Sequence, residues 1–245
     1  MIEKHQLYDK KITLEFDPVK HIYSINGKTI YGCTSIVGVI NKPALMYWAV
    51  NQAIDNLAGI LKPGVSYDEV QIKNMLEEAK KRHTKTKEAA ADIGAMIHDW
   101  ISKFLKAGME KKPLPKLPVN PEMKTAIQGF LKWAKENKVK FIHSERKIYS
   151  KKHGYAGTLD AEAKVNGKLA IIDFKTSNAF YPEYFLQTVA YQQAREEEEG
   201  KKYDGAYIIR FSKNKDNGQP LFEVKRSDNF EGCLRTFLAC LQIYK

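Results

Sequence analysis

The chain has 245 residues, enough for one large domain or one domain with an appended lobe. With 43% apolar and 28% charged residues it has the make-up of a globular protein. No apolar run approaches the roughly 20 residues of a membrane span, so a membrane partner is not expected. Forty Lys and Arg against 29 Asp and Glu leave a net charge of +11, which favours a polyanionic partner. The plainer reading of that charge is solubility. Cys33, Cys233 and Cys240 are too scattered for a disulfide framework. The opening MIEKHQLYDKK lacks the apolar stretch of a secretory signal. An intracellular setting is therefore expected, in a bacterium, an archaeon or a phage-infected host.

Residues 12–31 read as a β-hairpin, with ITLEFD, HIYSI and KTIYG separated by turns that include Asn26-Gly27. Helical patterns dominate residues 35–105, with an amphipathic stripe of Ile93, Ile97, Trp100, Ile101 and Phe104. Pro113, Pro115, Pro118 and Pro121 then interrupt a lysine-rich stretch, which reads as an extended connector over 108–121. A helix over about 121–137 follows, then strands KFIHSERKIYS, YAGTLDAEAKV and KLAIIDFKTS. Next come a helix over about 183–199, strands GAYIIRF and LFEVKRS joined through Asn217-Gly218, and a closing helix. The acidic run 196–199 reads as a solvated face with no assigned function.

The hairpin around Asn166-Gly167 carries the chemistry. A two-residue turn pairs Val165 with Lys168, and counting outward sets Asp160 opposite Asp173, with Lys175 on the same face. Leu159, Ala161, Ile172 and Phe174 are then expected on the other, core-building face. Two carboxylates about 5 Å apart at Cβ repel unless they share a cation or one is protonated. Oxygen ligands suit Mg²⁺ or Mn²⁺, which also bind phosphates, and a lysine beside them stabilises charge on a phosphate under attack. A surface salt-bridge ladder is the competing explanation.

Residues 157–160 (G-T-L-D), 171–177 (I-I-D-F-K-T-S) and the pair Gln187 and Tyr191 resemble the PD-(D/E)XK nuclease superfamily. More narrowly they resemble its RecB-like branch, with mitochondrial genome-maintenance exonucleases and phage exonucleases. Residues 94–98 are similar to that branch's G-x-x-x-H helix, Glu145 to its strand glutamate, and residues 34–49 to its amino-terminal segment. The resemblance spans roughly residues 30 to 210.

The resemblance implies that Asp160, Asp173, the Phe174 carbonyl and His98 ligate a metal. Lys175 would position or activate the attacking water, Glu145 would orient that water or a second ion, and Gln187 with Tyr191 would support Lys175 and the DNA backbone. Each has a structural alternative: His98 adjoins an apolar stripe, Glu145 could face solvent, and Gln187 and Tyr191 could serve helix packing. Tyr181 and Tyr184, with Phe180 and Phe185, could stack unpaired bases or join the core. Lys80, Lys81, Arg82, Lys85, Lys87, Lys111 and Lys112 could line a backbone-tracking channel. An iron–sulfur cluster, carried by some RecB-like nucleases, is not expected, because three cysteines fall short of four thiolates.

The expected architecture is a single α/β nuclease domain with a mixed sheet of about five strands flanked by helices. Residues 1–107 would form an amino-terminal hairpin and helical lobe, 108–121 the connector and 122–245 the catalytic core. The expected activity is Mg²⁺- or Mn²⁺-dependent hydrolysis of DNA phosphodiester bonds by attack of metal-activated water, at single-stranded or free ends. Such an enzyme would serve DNA repair or recombination, and no Walker motif is present, so unwinding would need a helicase or other replication partner. The alternatives are a structure-selective or sequence-specific endonuclease on the same fold, and a non-catalytic nucleic-acid-binding module.

Overall fold

A computed structural model describes residues 1–40, 42–212 and 220–245; the side chains of residues 43–45, 83 and 85–93 are outside it. The turn expected at Asn217-Gly218 lies outside the described residues. The chain divides into two compact units: Met1–Ile40 with Ile97–Lys245, and Asn41–Met96.

The first unit begins with an antiparallel meander of β1 (Glu3–Leu7), β2 (Ile12–Asp17), β3 (Ile22–Ile25) and β4 (Lys28–Gly32). Asn26 and Gly27 turn β3 into β4 at φ values of 51° and 74°, as the hairpin chemistry requires. β1 escapes sequence reasoning because only Leu7 of its five residues is buried, against Leu14, Phe16 and Tyr23.

β4 then runs parallel to β6 (Tyr155–Val165) through Tyr31↔Tyr155 and Gly32↔Ala156. β6 is flanked also by β5 (Lys140–Ser150) and β7 (Lys168–Thr176), both antiparallel to it. β8 (Gly205–Phe211) lies parallel to β7, and β9 (Phe222–Ser227) antiparallel to β8. The mixed sheet thus has nine strands among the described residues, more than the five or so expected. The excess is the meander, which joins the sheet through the non-local β4–β6 contact that no local pattern announces.

Helices cover both faces. α1 (Cys33–Val37), α5 (Pro182–Glu199) and α6 (Phe230–Tyr244) enclose a core of Ile148, Tyr155, Leu159, Ile171, Ala190 and Phe237. On the opposite face α4 (Pro121–Glu136) buries Met123, Ala126, Ile127 and Phe130 at helical spacing. Asn120 caps it, its side chain accepting from the N–H groups of Glu122 and Met123, and Pro121 occupies the first turn. Phe130 meets Phe174 and Phe211 edge-on, with centroids 5.7 and 6.1 Å away. α3 (Glu69–Met109) adds buried Ile97, Trp100, Ile101 and Leu105 from its carboxyl-terminal part. Within the second unit α2 (Pro43–Ile60) precedes the amino-terminal part of α3, which Asp68 and Gln71 open with a reciprocal capping box.

The acidic run 196–199 is not the solvated face expected. Glu197 takes hydrogen bonds from Ser150 Oγ and the Lys152 N–H, and Glu198 pairs with Arg146 and Arg195. Glu196 accepts from the Tyr203 N–H and Gln192, and Glu199 from Arg195. The run thereby clamps the end of α5 to β5. A run of like charges is tolerable because Arg146 and Arg195 face it, Arg146 from 52 residues before Glu198 in the chain and Arg195 from one helical turn before Glu198 and Glu199.

Arg195 is fully buried and also donates to Glu162, which accepts from Tyr203 Oη as well. Burial pushes the Glu162 carboxyl up, but the Tyr203 hydrogen bond and Arg195 outweigh it and hold the group below the usual range. A depressed carboxyl contributes stability above its unfolded value of about 4.3 and loses it as pH falls through the folded value. Glu162→Gln should therefore cost about 3 kcal/mol in denaturant melts at pH 7. The gap from wild type should close below about pH 4; a gap constant with pH would contradict it.

Candidate active site

The β6–β7 ladder runs in the expected register from Val165↔Lys168 to Ala161↔Ile172 and stops there. Asp160 and Asp173 are the next pair, and they do not face one another across a continued ladder. Asp160 Oδ2 instead accepts the Phe174 N–H at 2.7 Å, taking a donor that the ladder would otherwise use. β6 also changes its alternation here. Leu159 lies in the core with α5, and Glu162, three residues on, reaches Arg195 of α5. Three residues of regular strand would point the two oppositely. Leu159 and Phe174 consequently belong to different layers, contrary to the common apolar face expected.

β5 is irregular at the same level. Its pairs with β6 pass from Ser144↔Ala161 to Arg146↔Leu159, skipping Glu145, which has a φ of 50°. A non-glycine residue in the left-handed region costs of order 1–3 kcal/mol, and such strain concentrates at functional sites. Glu145 is exposed and, with His98, Asp99, Ile101, Ser102, Leu105, Ser144, Asp160 and Phe174, lines a cavity of about 230 Å³.

Lys175 is held at three points. Its Nζ lies 2.7 Å from Asp173 Oδ2, donates to Gln187 Oε1 at 3.0 Å and stands 5.3 Å from the centroid of the Tyr184 ring. The Gln187 amide is itself fixed, because its Nε2 donates to Tyr191 Oη at 2.6 Å and to Thr34 Oγ1 at 3.0 Å. With both amide hydrogens used, the carbonyl must face the lysine. Gly157 makes this possible: a Cβ there would lie 2.7 Å from Tyr191 Cε1 and 3.2 Å from Cys33 Sγ. The glycine of G-T-L-D thus lets the Tyr191 ring lie against β6.

Charge in the fork is unbalanced. Burial pushes the Asp173 carboxyl up to about 6 against the opposing pull of Lys175, with Asp160 adding to the rise. Burial also raises Asp160, while Lys175 and the Phe174 N–H oppose it. Burial pulls the Lys175 ammonium down, but Asp173 and Asp160 outweigh it and keep it charged. Lost hydration and Lys175 lower the His98 imidazole despite Asp173 and Glu145, leaving a neutral ring at pH 7.

Asp173 is fully buried, and apart from the lysine at ion-pair distance neither of its oxygens has an aligned hydrogen bond. Asp173 Oδ1, a buried carboxylate oxygen without a donor beside a second carboxylate, belongs to a donor set that suits a hard divalent ion. Among the described residues no three His, Cys, Asp or Glu side chains already form a metal cage. A hard ion held by one or two carboxylates, with solvent and phosphate oxygens, needs no such cage.

Tyr181 is 41% exposed and meets Tyr184 edge-on at 5.5 Å, next to the lysine. Phe180, by contrast, is half-buried between Arg210 and Lys225. Lys85 and Lys87 lie along α3, and their side chains are outside the described residues. Thr34, which accepts from Gln187, has no signature of its own in the sequence beyond its T-S-I-V context. The three cysteines are free, and no helix among the described residues is long and apolar enough to cross a membrane.

Gly157→Ala should cost about 1–3 kcal/mol through collision with Tyr191. A double-mutant cycle with Tyr191→Ala should show marked non-additivity in denaturant melts. Additive losses would place the conflict elsewhere.

No protein-family profile and no curated protein matches this chain. Among solved structures, that of SSO0001 is similar over 82% of this chain and 85% of its own, at 10% identity and a TM-score of 0.33. An alkaline exonuclease from Laribacter hongkongensis, LHK-Exo, is similar over 59% of this chain and 79% of its own, at 12% identity and a TM-score of 0.29. Its complex with dAMP gives 60% and 78%, 14% identity and 0.31. These likenesses are distant.

Proposed function

We propose that the chain is a divalent-metal-dependent deoxyribonuclease of the PD-(D/E)XK type, acting as an exonuclease on single-stranded or free DNA ends. The observation that carries this reading is the fork itself. A fully buried carboxylate whose Oδ1 has no hydrogen bond, a second carboxylate and a lysine pinned at Asp173 Oδ2 meet where the sheet opens. A salt-bridge ladder would lie on a continuous, solvated strand face, and neither condition holds here.

Asp160 and Asp173 would hold Mg²⁺ or Mn²⁺, with the Phe174 carbonyl and the neutral His98 ring as further donors. When bound, such an ion neutralises phosphate charge and makes water more acidic. Hydrolysis forms one P–O bond to water and breaks the bond to a deoxyribose oxygen. The Lys175 ammonium stabilises negative charge on the phosphate under attack. Gln187, locked by Tyr191 and Thr34, keeps that ammonium aimed, so little reorganisation is needed as charge develops. Glu145, exposed at the cavity lip, would receive the proton the water releases, and solvent would return one to the departing deoxyribose oxygen. Tyr181 offers its face to an unpaired base, worth about 1–3 kcal/mol.

With Mg²⁺ or Mn²⁺, end-labelled linear single-stranded DNA should be degraded while a closed single-stranded circle survives, and EDTA should stop the reaction. Asp173→Asn should slow cleavage about a thousandfold or more and retain DNA binding in gel shifts. Cleavage of the circle would make the enzyme an endonuclease. Wild-type rates in the Asp173→Asn variant would remove the fork from the chemistry.

A further inference from the structure

We infer a second anion subsite, formed by Lys147, Thr158 and Tyr23, that takes the phosphate next to the one being cleaved. It rests on the nuclease reading and extends it to a substrate engaged through two successive phosphates.

Lys147 and Thr158 are direct partners across β5 and β6. They lie two residues along from Glu145 and Asp160 on their strands, and the step from Asp160 to Thr158 is about 6.7 Å. Neighbouring strand positions fix their face. Ile148 and Leu159 point into the core with α5, so Lys147 and Thr158 point to the side on which Glu145 and Asp160 line the cavity. Tyr23 of β3 completes the group, its Oη 2.8 Å from Thr158 Oγ1.

The donors of this group are underused. The Lys147 side chain is 10% exposed, and its nearest carboxylate oxygen, on Glu3, is 3.9 Å away, beyond hydrogen-bonding distance. Its Nζ otherwise lies 4.4 Å from the centroid of the Phe16 ring. Its Nζ is nonetheless not among the fully buried atoms, so the three N–H donors are within reach of a ligand. Here none of the three has a hydrogen-bond acceptor among the described residues. The hydroxyl pair is likewise open: whichever of Tyr23 and Thr158 donates to the other, one hydroxyl hydrogen remains for a ligand. Three ammonium hydrogens and one hydroxyl hydrogen, with the ammonium standing over the Phe16 ring, suit a tetrahedral oxyanion. One extended nucleotide step along the β5–β6 face carries a phosphodiester from Asp160 to this point.

The test is fluorescence anisotropy with a labelled single-stranded oligothymidylate in EDTA, over a salt series, on the full chain. Lys147→Met keeps an unbranched side chain of similar length and removes the charge; Lys147→Arg keeps the charge. The Met variant should weaken binding about tenfold and lower the slope of log K against log salt by about 0.7, while the Arg variant should restore most of both. Equal melting temperatures for wild type and Lys147→Met would assign the loss to the contact. Unchanged affinity and slope in Lys147→Met, or a loss the Arg variant fails to restore, would overturn the subsite. Cleavage by the wild type with Mn²⁺ decides the nuclease reading separately. A chain that binds without cutting would sink that reading, and the slopes would still decide Lys147.

Discussion

The site depends on one broken ladder. Between β6 and β7 the register holds from the Asn166-Gly167 turn to Ala161↔Ile172, and then the pairing ends. A continued ladder would have pressed two carboxylates together on a pleated face. The chain avoids that repulsion by opening the strands, letting Asp160 take a backbone donor and setting Asp173 into a buried corner beside Lys175. Opening the sheet also leaves Asp173 without aligned hydrogen bonds, a state that a folded protein tolerates only where something else repays it.

The rest of the first unit keeps that opening in place. The Phe130, Phe174 and Phe211 cluster anchors β7 and β8 against α4 on one face. On the other, the Arg195 and Glu162 network and the acidic run clamp α5 to β5 and β6. α5 in turn supplies Gln187 and Tyr191, so the helix that seals the core also aims the lysine. Stability and the disposition of Lys175 therefore share the same helix, and Gly157 is where the two demands meet.

Much of this was legible in the sequence because it is local. Asn166-Gly167 specified the turn and register of β6 and β7, and β5, β6 and β8 span the residues read from their patterns. The proximity of Asp173 and Lys175 followed from strand alternation. What could not be read is non-local or contrary to alternation. The break at Asp160, where its carboxylate takes the Phe174 N–H, and the left-handed Glu145 beside it on β5 have no local signature. The acidic run reads as solvated in the sequence because its counter-charge from β5, Arg146, is distant in the chain. Thr34 joined the site only once α1 was placed against α5.

The proposed chemistry requires the fork to bind a divalent ion through Asp160 and Asp173. Titrating Mn²⁺ into the chain and following the free-ion signal by electron paramagnetic resonance tests it most directly. Loss of the free signal in the wild type, with much weaker uptake by Asp173→Asn and Asp160→Asn variants that melt like folded proteins, is the predicted result. A wild type that leaves the Mn²⁺ signal untouched, or an Asp173→Asn variant that binds as tightly, would contradict it.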